Sequence, residues 1–134
     1  MIANEEDIPL ILELCQEAHV GSVWEDVGAV FSPGDTESTV RSLMENPNAV
    51  VLVCDRGTLW LMRFPLWFNH GETITREIFF YATRGGDALR REGERWAGPG
   101  LNVLSRHENT DPRLGIYYRR AGYRPIEHDF VRRA

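Results

Sequence analysis

Apolar residues at helical spacing predict two helices at the start of the chain. The first has its apolar face between Ile8 and Cys15, and Asn4 stands before it as a candidate N-cap. The second begins at Asp35 or Thr36, either of which can cap it. We expect it to end before Pro47, since the residue that precedes a proline disfavours helical geometry.

Three apolar segments after these helices predict an antiparallel meander. Residues 49–54 form a Val-rich run typical of a strand buried on both faces. Residues 58–68 form a longer aromatic strand, in which Pro65 indicates a bulge or an edge. A turn at residues 69–71 leads to a third strand at residues 73–82.

Helices and strands then alternate. A glycine loop at residues 83–86 precedes a helix at residues 87–97, and residues 101–104 form a short strand. A further helix runs from Asp111-Pro112 to Gly122, and residues 125–132 form the last strand. This order predicts an α/β fold of the α+β type, with a central, mostly antiparallel mixed sheet and flanking helices.

Length and charge narrow the class of protein. A chain of 134 residues suits a single domain, 1–134. All fifteen basic residues are arginines, and eleven of them lie in residues 84–134. The net charge of −5 argues against non-specific nucleic-acid binding. The arginine-rich half either faces a small molecule that carries phosphate or is a solvated surface.

The cysteines and the lengths of the apolar runs indicate the cellular compartment of the protein. Cys15 and Cys54 lie in apolar patterns and are interpreted as reduced core residues of an intracellular protein. No apolar run is long enough to span a bilayer, and no signal-peptide pattern opens the chain. We therefore expect a cytoplasmic protein with no membrane partner. The four histidines show no metal-ligand spacing, so no metal is expected.

The glycine loop between the third strand and its helix carries the clearest chemistry. A helix N-terminus presents unpaired N–H groups and the positive end of the helix dipole. Glycines let a pyrophosphate approach those groups closely. Such a cradle would consist of Arg84, Gly85, Gly86, Asp87 and Ala88. The alternative is that Gly-Gly before a helix is simply a turn.

Three segments together resemble the GNAT superfamily of acyl-CoA-dependent N-acyltransferases. Residues 3–9 look like the start of its first helix, residues 83–88 like a degenerate pyrophosphate loop, and residues 118–123 like its C-terminal Tyr-x-x-x-Gly-aromatic pattern. The resemblance covers essentially the whole chain, with the first strand truncated to Met1–Ala3. It implies that the strand before the loop and the next strand splay apart.

The resemblance also implies a reaction, the transfer of an acetyl group from acetyl-CoA to an amine by direct attack. Pantetheine would pair with the strand backbone at Phe80, Tyr81 and Ala82, and the pyrophosphate would bind the loop. Tyr118 matches the position of the general acid, although its ring could instead only pack. Glu77 matches a catalytic base, with a solvent-facing residue as the alternative.

Other residues compete for these roles. His107 and Glu108 are rival bases, and water is a third possibility. Three arginines are candidates for contact with the phosphates: Arg84, Arg90 and Arg91. The alternative is that they form the solvent-exposed face of a helix.

The chain departs from the family pattern in ways that keep other functions open. Thr83 stands where Gln or Arg is usual, and Asp111 where the helix that carries Tyr118 usually begins with Asn. The short, compact chain resembles GNAT-like proteins of phages and prophages. One alternative is a non-catalytic GNAT-like protein that acts through a protein partner, with a homodimer also open. Another is a phage transferase that modifies nucleic acid.

Overall fold

The computed structural model describes residues 1–104, 113–126 and 130–133. The chain divides into two compact units, which are described separately, and the single-domain interpretation stays a prediction. No helix in the described ranges has the length and apolar character needed to cross a membrane. The first unit comprises Met1–Ala18 and Ser32–Ser105, and the second comprises His19–Phe31 and Arg106–Ala134.

The first unit contains a four-stranded sheet with helices. In chain order its elements are a 3₁₀ turn at Glu5–Asp7, α1 at Ile8–His19 (whose last residue belongs to the second unit), α3 at Pro33–Glu45, β1 at Ala49–Cys54, β2 at Gly57–Leu66, β3 at Asn69–Ala82, α4 at Gly86–Ala97 and β4 at Leu101–Val103. The second unit contains α2 at Val23–Asp26 and α5 at Arg113–Arg120.

Capping residues determine where the first helices begin. The side chain of Asn4 accepts a hydrogen bond from the Glu6 N–H at 2.8 Å, and the Asn4 N–H donates to Asp7 Oδ2 at 2.8 Å. This reciprocal cap confirms Asn4 as the N-cap. The predicted cap of α3 was wrong: Ser32 Oγ accepts from the Asp35 N–H at 3.2 Å. Pro33 follows at the first helical position, where no N–H is needed.

The strand order is β1-β2-β3-β4, with the first three strands antiparallel, so the predicted meander is confirmed. β4 pairs with β3 in parallel, which makes the sheet mixed. The truncated first strand is present as an isolated antiparallel β-bridge between Ile2 and Leu52. Two backbone bonds support it, from the Ala3 N–H to the Val51 carbonyl at 2.8 Å and from the Val53 N–H to the Met1 carbonyl at 2.9 Å.

Two predicted boundaries were wrong. The turn between β2 and β3 consists of Trp67 and Phe68, because Leu66 pairs with Asn69. Residues 69–71, predicted as this turn, instead belong to β3: Asn69 pairs with Leu66, and residues 70–72 form a register shift before Thr73 pairs with Pro65. The predicted last strand at 125–132 is not a strand over residues 125–126 and 130–132, and residues 127–129 lie outside the described ranges.

Helix α4 packs on the sheet at very short range. Leu89 of α4 joins a buried cluster with Leu52, Leu59 and Leu61 of β1 and β2. A Cβ atom at Gly93 would lie 2.9 Å from side-chain atoms of both Leu59 and Leu61. The absence of a side chain at Gly93 therefore sets how closely α4 approaches the strands.

We expect Gly57→Ala to destabilise the fold by about 1–3 kcal/mol, the usual cost of overpacking a core. Its Cβ would lie 2.6 Å from Ala82 Cβ, which the two paired strands hold in place. The matched control is Gly34→Ala in α3, where a Cβ meets nothing within 4 Å. Urea denaturation measures both. Equal midpoints for Gly57→Ala and the parent protein would contradict this packing.

Candidate functional site

β3 extends past its described pairing with β4 as it approaches the glycine loop. β3 and β4 pair over only three residues, from Ile74–Leu101 to Arg76–Val103. β3 continues for six residues beyond Arg76, to Ala82. Over the described part of the chain, its last residues, 78–82, have a neighbouring strand on one side only, which is β2. Over the described residues, β3 therefore runs past its pairing with β4 toward the glycine loop; residues 105–112, which follow β4, lie outside the described ranges.

A bulge of β3 lies just beyond the last described pair between β3 and β4. Trp60 pairs with Phe79 and Leu61 pairs with Glu77, so Ile78 is an extra residue of β3. Such a bulge re-aims the residues that follow it and increases local twist. Ile78 is 46% exposed.

The three strand residues predicted to pair with pantetheine face both sides of the sheet. Phe80 and Ala82 pack against the buried cluster under α4. Tyr81 pairs with Thr58 and faces the opposite side. Burial, and next the charge of Glu17, raise the pKa of Tyr81, so its phenol is neutral at physiological pH.

The glycine loop ends in a helix start that no side chain caps. Gly85 is the N-cap residue with φ +80°, a left-handed conformation suited to glycine. The first α-helical bond of α4 runs from the Leu89 N–H to the Gly85 carbonyl at 3.1 Å. The N–H groups of the first turn thus have no side-chain cap from Gly85. The helix begins at Gly86, one residue before the predicted start.

Asp87 brings a negative charge to this first turn, and two arginines compensate it. Asp87 Oδ1 lies 3.0 Å from an Arg90 nitrogen, and Oδ2 lies 2.9 Å from Arg91 Nε. Arg90 also pairs with Glu94, and its side chain is only 10% exposed. Arg90 is therefore part of an ion-pair network along α4, whereas the Arg91 side chain is 64% exposed.

The turn between β1 and β2 is joined to the glycine loop by hydrogen bonds and an ion pair. The Thr83 N–H donates to the Arg56 carbonyl at 2.9 Å, and Arg56 Nε donates to Thr83 Oγ1 at 3.3 Å. Arg84 forms an ion pair with Asp55 at 2.7 Å. Because of this pair, the pKa of the Asp55 carboxyl lies below its usual range. The sequence shows Asp55-Arg56-Gly57 only as a turn, so its proximity to the loop could not be predicted.

Glu77 is buried rather than solvent-facing, with 8% of its surface exposed. It pairs with Leu61, and Arg63 pairs with Thr75, so Glu77 and Arg63 are diagonal neighbours on one face. The guanidinium carbon of Arg63 lies 3.9 Å from the centre of the Trp96 ring in α4. Glu77 therefore lies on the face of the sheet that α4 covers, on the strand that leads to the loop.

Tyr118 lies in α5 of the second unit and is 8% exposed. Its ring contacts those of Tyr117 and Tyr123, with centroids 5.3 Å and 6.1 Å away. Gly122, at φ +94°, ends the helix as predicted, and the Tyr123 N–H bonds back to the Tyr118 carbonyl at 3.0 Å. The predicted site residues His107, Glu108 and Asp111 lie outside the described residues.

Comparison with solved structures places this fold among acetyltransferases. A protein of Agrobacterium tumefaciens, provisionally named an acetyltransferase, matches with a TM-score of 0.72 at 16% identity, covering 100% of this chain and 98% of that one. An aminoglycoside 6′-N-acetyltransferase of Acinetobacter haemolyticus matches at 0.67 and 16% identity, covering 100% and 96%. The mixed α/β fold predicted from the GNAT resemblance is confirmed.

The fold also matches a solved structure that is not described as an acetyltransferase. A protein of Bacillus halodurans described as a transcriptional regulator matches with a TM-score of 0.69 at 9% identity, covering 100% of this chain and 97% of that one. No protein-family model and no curated protein sequence matches the chain. At these identities the likeness establishes the fold, and the chemistry has to be argued from the site.

We expect Arg84→Gln to raise the pKa of Asp55 toward its ordinary value. The hydrogen bond from Arg84 is the largest cause of the lowered value, and its charge adds to the effect. A pH titration of the carboxyl carbons by NMR measures this shift. Arg91→Gln is the control, because Arg91 pairs with Asp87 instead. An unchanged Asp55 titration in Arg84→Gln would show that the ion pair does not form in solution.

Proposed function

We propose that the protein is an N-acetyltransferase that transfers an acetyl group from acetyl-CoA to an amine. The observation that carries this proposal is that β3, past the residues it pairs with β4 in the described part of the chain, leads directly into a helix start that no side chain caps. An extended pantetheine chain can hydrogen-bond to an open strand edge, here at Phe80, Tyr81 and Ala82. The pyrophosphate that follows it suits backbone N–H groups at a helix start.

The loop residues fit a phosphate group sterically. A Cβ at Gly86 would lie 3.4 Å from Ala82 Cβ and 3.7 Å from the Phe80 ring, so the glycine leaves room beside the strand end. At Gly85, a side chain would be strained by the left-handed conformation and would meet Cys54 Sγ at 3.2 Å. We infer that the cradle is Arg84 to Ala88, with Asp87 neutralised by its arginine partners.

In the proposed reaction the amine nitrogen forms a bond to the acetyl carbon and the carbon–sulfur bond breaks. The amine then loses a proton, and the departing thiolate gains one. We assign the base to Glu77 and the acid to Tyr118, whose phenol has a reference pKa near ~10. The assignment of Glu77 is supported by its position, since it is buried on the strand that leads to the glycine loop.

The cell compartment is part of the proposal. Cys15 and Cys54 are both free, and Cys15 is buried. Burial raises the pKa of Cys15 to about 12, so it is unreactive and suits a structural role. Free cysteines are usual in reducing compartments, and they support a cytoplasmic enzyme.

A second candidate is a protein of this fold that does not transfer an acyl group and acts through a partner. Two observations favour it: the fold also occurs in a protein described as a transcriptional regulator, and Arg84 is already paired with Asp55. Calorimetric titration with acetyl-CoA separates the two candidates. A micromolar dissociation constant supports the enzyme, and no binding at millimolar acetyl-CoA supports the second candidate.

We expect Gly86→Glu to weaken acetyl-CoA binding by at least roughly tenfold, since it adds a side chain and a negative charge to the cradle. Gly34→Glu is the matched control. It places the same side chain in the first turn of α3, where a Cβ meets nothing within 4 Å. Calorimetry on both folded variants gives the affinities. If Gly86→Glu binds as tightly as Gly34→Glu, the loop is not the site.

We expect Tyr118→Phe to lower kcat by roughly ten- to a thousandfold, the contribution of a positioned acid. Affinity for acetyl-CoA should change little, because only the phenolic hydroxyl is removed and the ring is kept. The measurement is steady-state turnover with the best amine from a screened panel. Tyr117→Phe, in the adjacent ring, is the control. Equal kcat for Tyr118→Phe and the parent protein removes Tyr118 from the mechanism.

A further inference from the structure

We propose that Asp55 sets the affinity of the loop for phosphate by holding Arg84 in an ion pair that an incoming phosphate has to displace. This inference rests on the proposed function, because it concerns the same loop. It gives the turn between β1 and β2 a role in setting phosphate affinity, in addition to connecting the two strands. The ligand class is the phosphate-bearing part of coenzyme A.

The geometry places the carboxylate of Asp55 beside the guanidinium of Arg84, the one arginine of the loop at residues 83–86. The two oppositely charged atoms of Arg84 and Asp55 are 2.7 Å apart, while 74% of the Arg84 side chain and 71% of the Asp55 side chain are exposed. Arg84 immediately precedes Gly85, the residue that caps α4. In this proposal, an anion bound at the start of α4 competes with Asp55 for the Arg84 guanidinium.

The same turn holds the loop in place independently of this ion pair. Backbone and side-chain bonds join Arg56 to Thr83, and Arg56 also lies 3.7 Å from Glu17. The loop thus keeps its position when Arg84 changes partner. An exposed ion pair is weak and is screened by salt. A pyrophosphate, with more than one negative charge, is the stronger partner for an arginine.

The test is the affinity of coenzyme A for the full chain, measured by calorimetry at low salt. Asp55→Asn should tighten binding by roughly two- to fivefold, because it frees Arg84 and removes a negative charge. This gain should shrink as salt is added. Arg84→Gln should weaken binding. In an Arg84→Gln background, Asp55→Asn should have little effect, since there is no arginine left to release.

Two controls isolate the local effect. Glu72→Gln changes the net charge by the same amount, and Glu72 lies ten residues before Ala82 on β3, or about 33 Å along an extended strand. It should leave the affinity unchanged. Pantetheine, which lacks the phosphates, should bind Asp55→Asn and the parent protein equally.

The outcomes separate this inference from the proposed function. If the parent protein is folded but does not bind coenzyme A at millimolar concentration, both are overturned. If coenzyme A binds and Asp55→Asn leaves its affinity unchanged, only the role of Asp55 is overturned. If Asp55→Asn tightens binding equally with and without Arg84, Asp55 acts by simple repulsion and the displaced ion pair is wrong.

Discussion

Helix α4 lies close against the sheet because Gly93 carries no side chain. A Cβ there would lie 2.9 Å from side-chain atoms of Leu59 and Leu61 in β2. This close approach lets Leu89 enter the core between the leucines of β1 and β2. It also fixes the first turn of α4 at the end of β3, because only residues 83–85 connect the two elements. The position of the candidate site follows from this packing.

Charges around the loop are balanced in pairs. Arg84 pairs with Asp55, and Asp87 pairs with arginines of its own helix. The loop is therefore not a simple patch of positive charge. Its attraction for phosphate would come from backbone N–H groups and from an arginine that can change partner. This arrangement is compatible with the net charge of −5, because the attraction is local.

Sequence patterns predicted the elements whose signals are local. The meander, the Asn4 cap and the helix end at Gly122 each depend on neighbouring residues, and each was confirmed. The β2–β3 turn was placed wrongly because Asn69-His70-Gly71 has turn chemistry, yet the structure turns at two exposed aromatic residues. The ion pair between Asp55 and Arg84 joins residues 29 positions apart. It depends on strand register, which no local pattern encodes.

The candidate site residues also divide into those that local sequence predicts and those whose environment depends on how the strands pack. The loop was predicted because glycines before a helix have a defined physical meaning. The burial of Glu77 was not predicted, since it depends on which face of β3 lies under α4. The extra residue Ile78 shifts the later side chains of β3, Phe79 to Ala82, to the other face, which the strand pattern did not show.

The most direct test of the account is a titration of ¹⁵N-labelled protein with coenzyme A, followed through the backbone amide resonances. If the end of β3 and the uncapped start of α4 form the site, the largest shifts occur at Phe80 to Ala82 and at Gly85 to Ala88. No shift at millimolar coenzyme A, or shifts confined to the β2–β3 turn at Trp67 and Phe68, would contradict it.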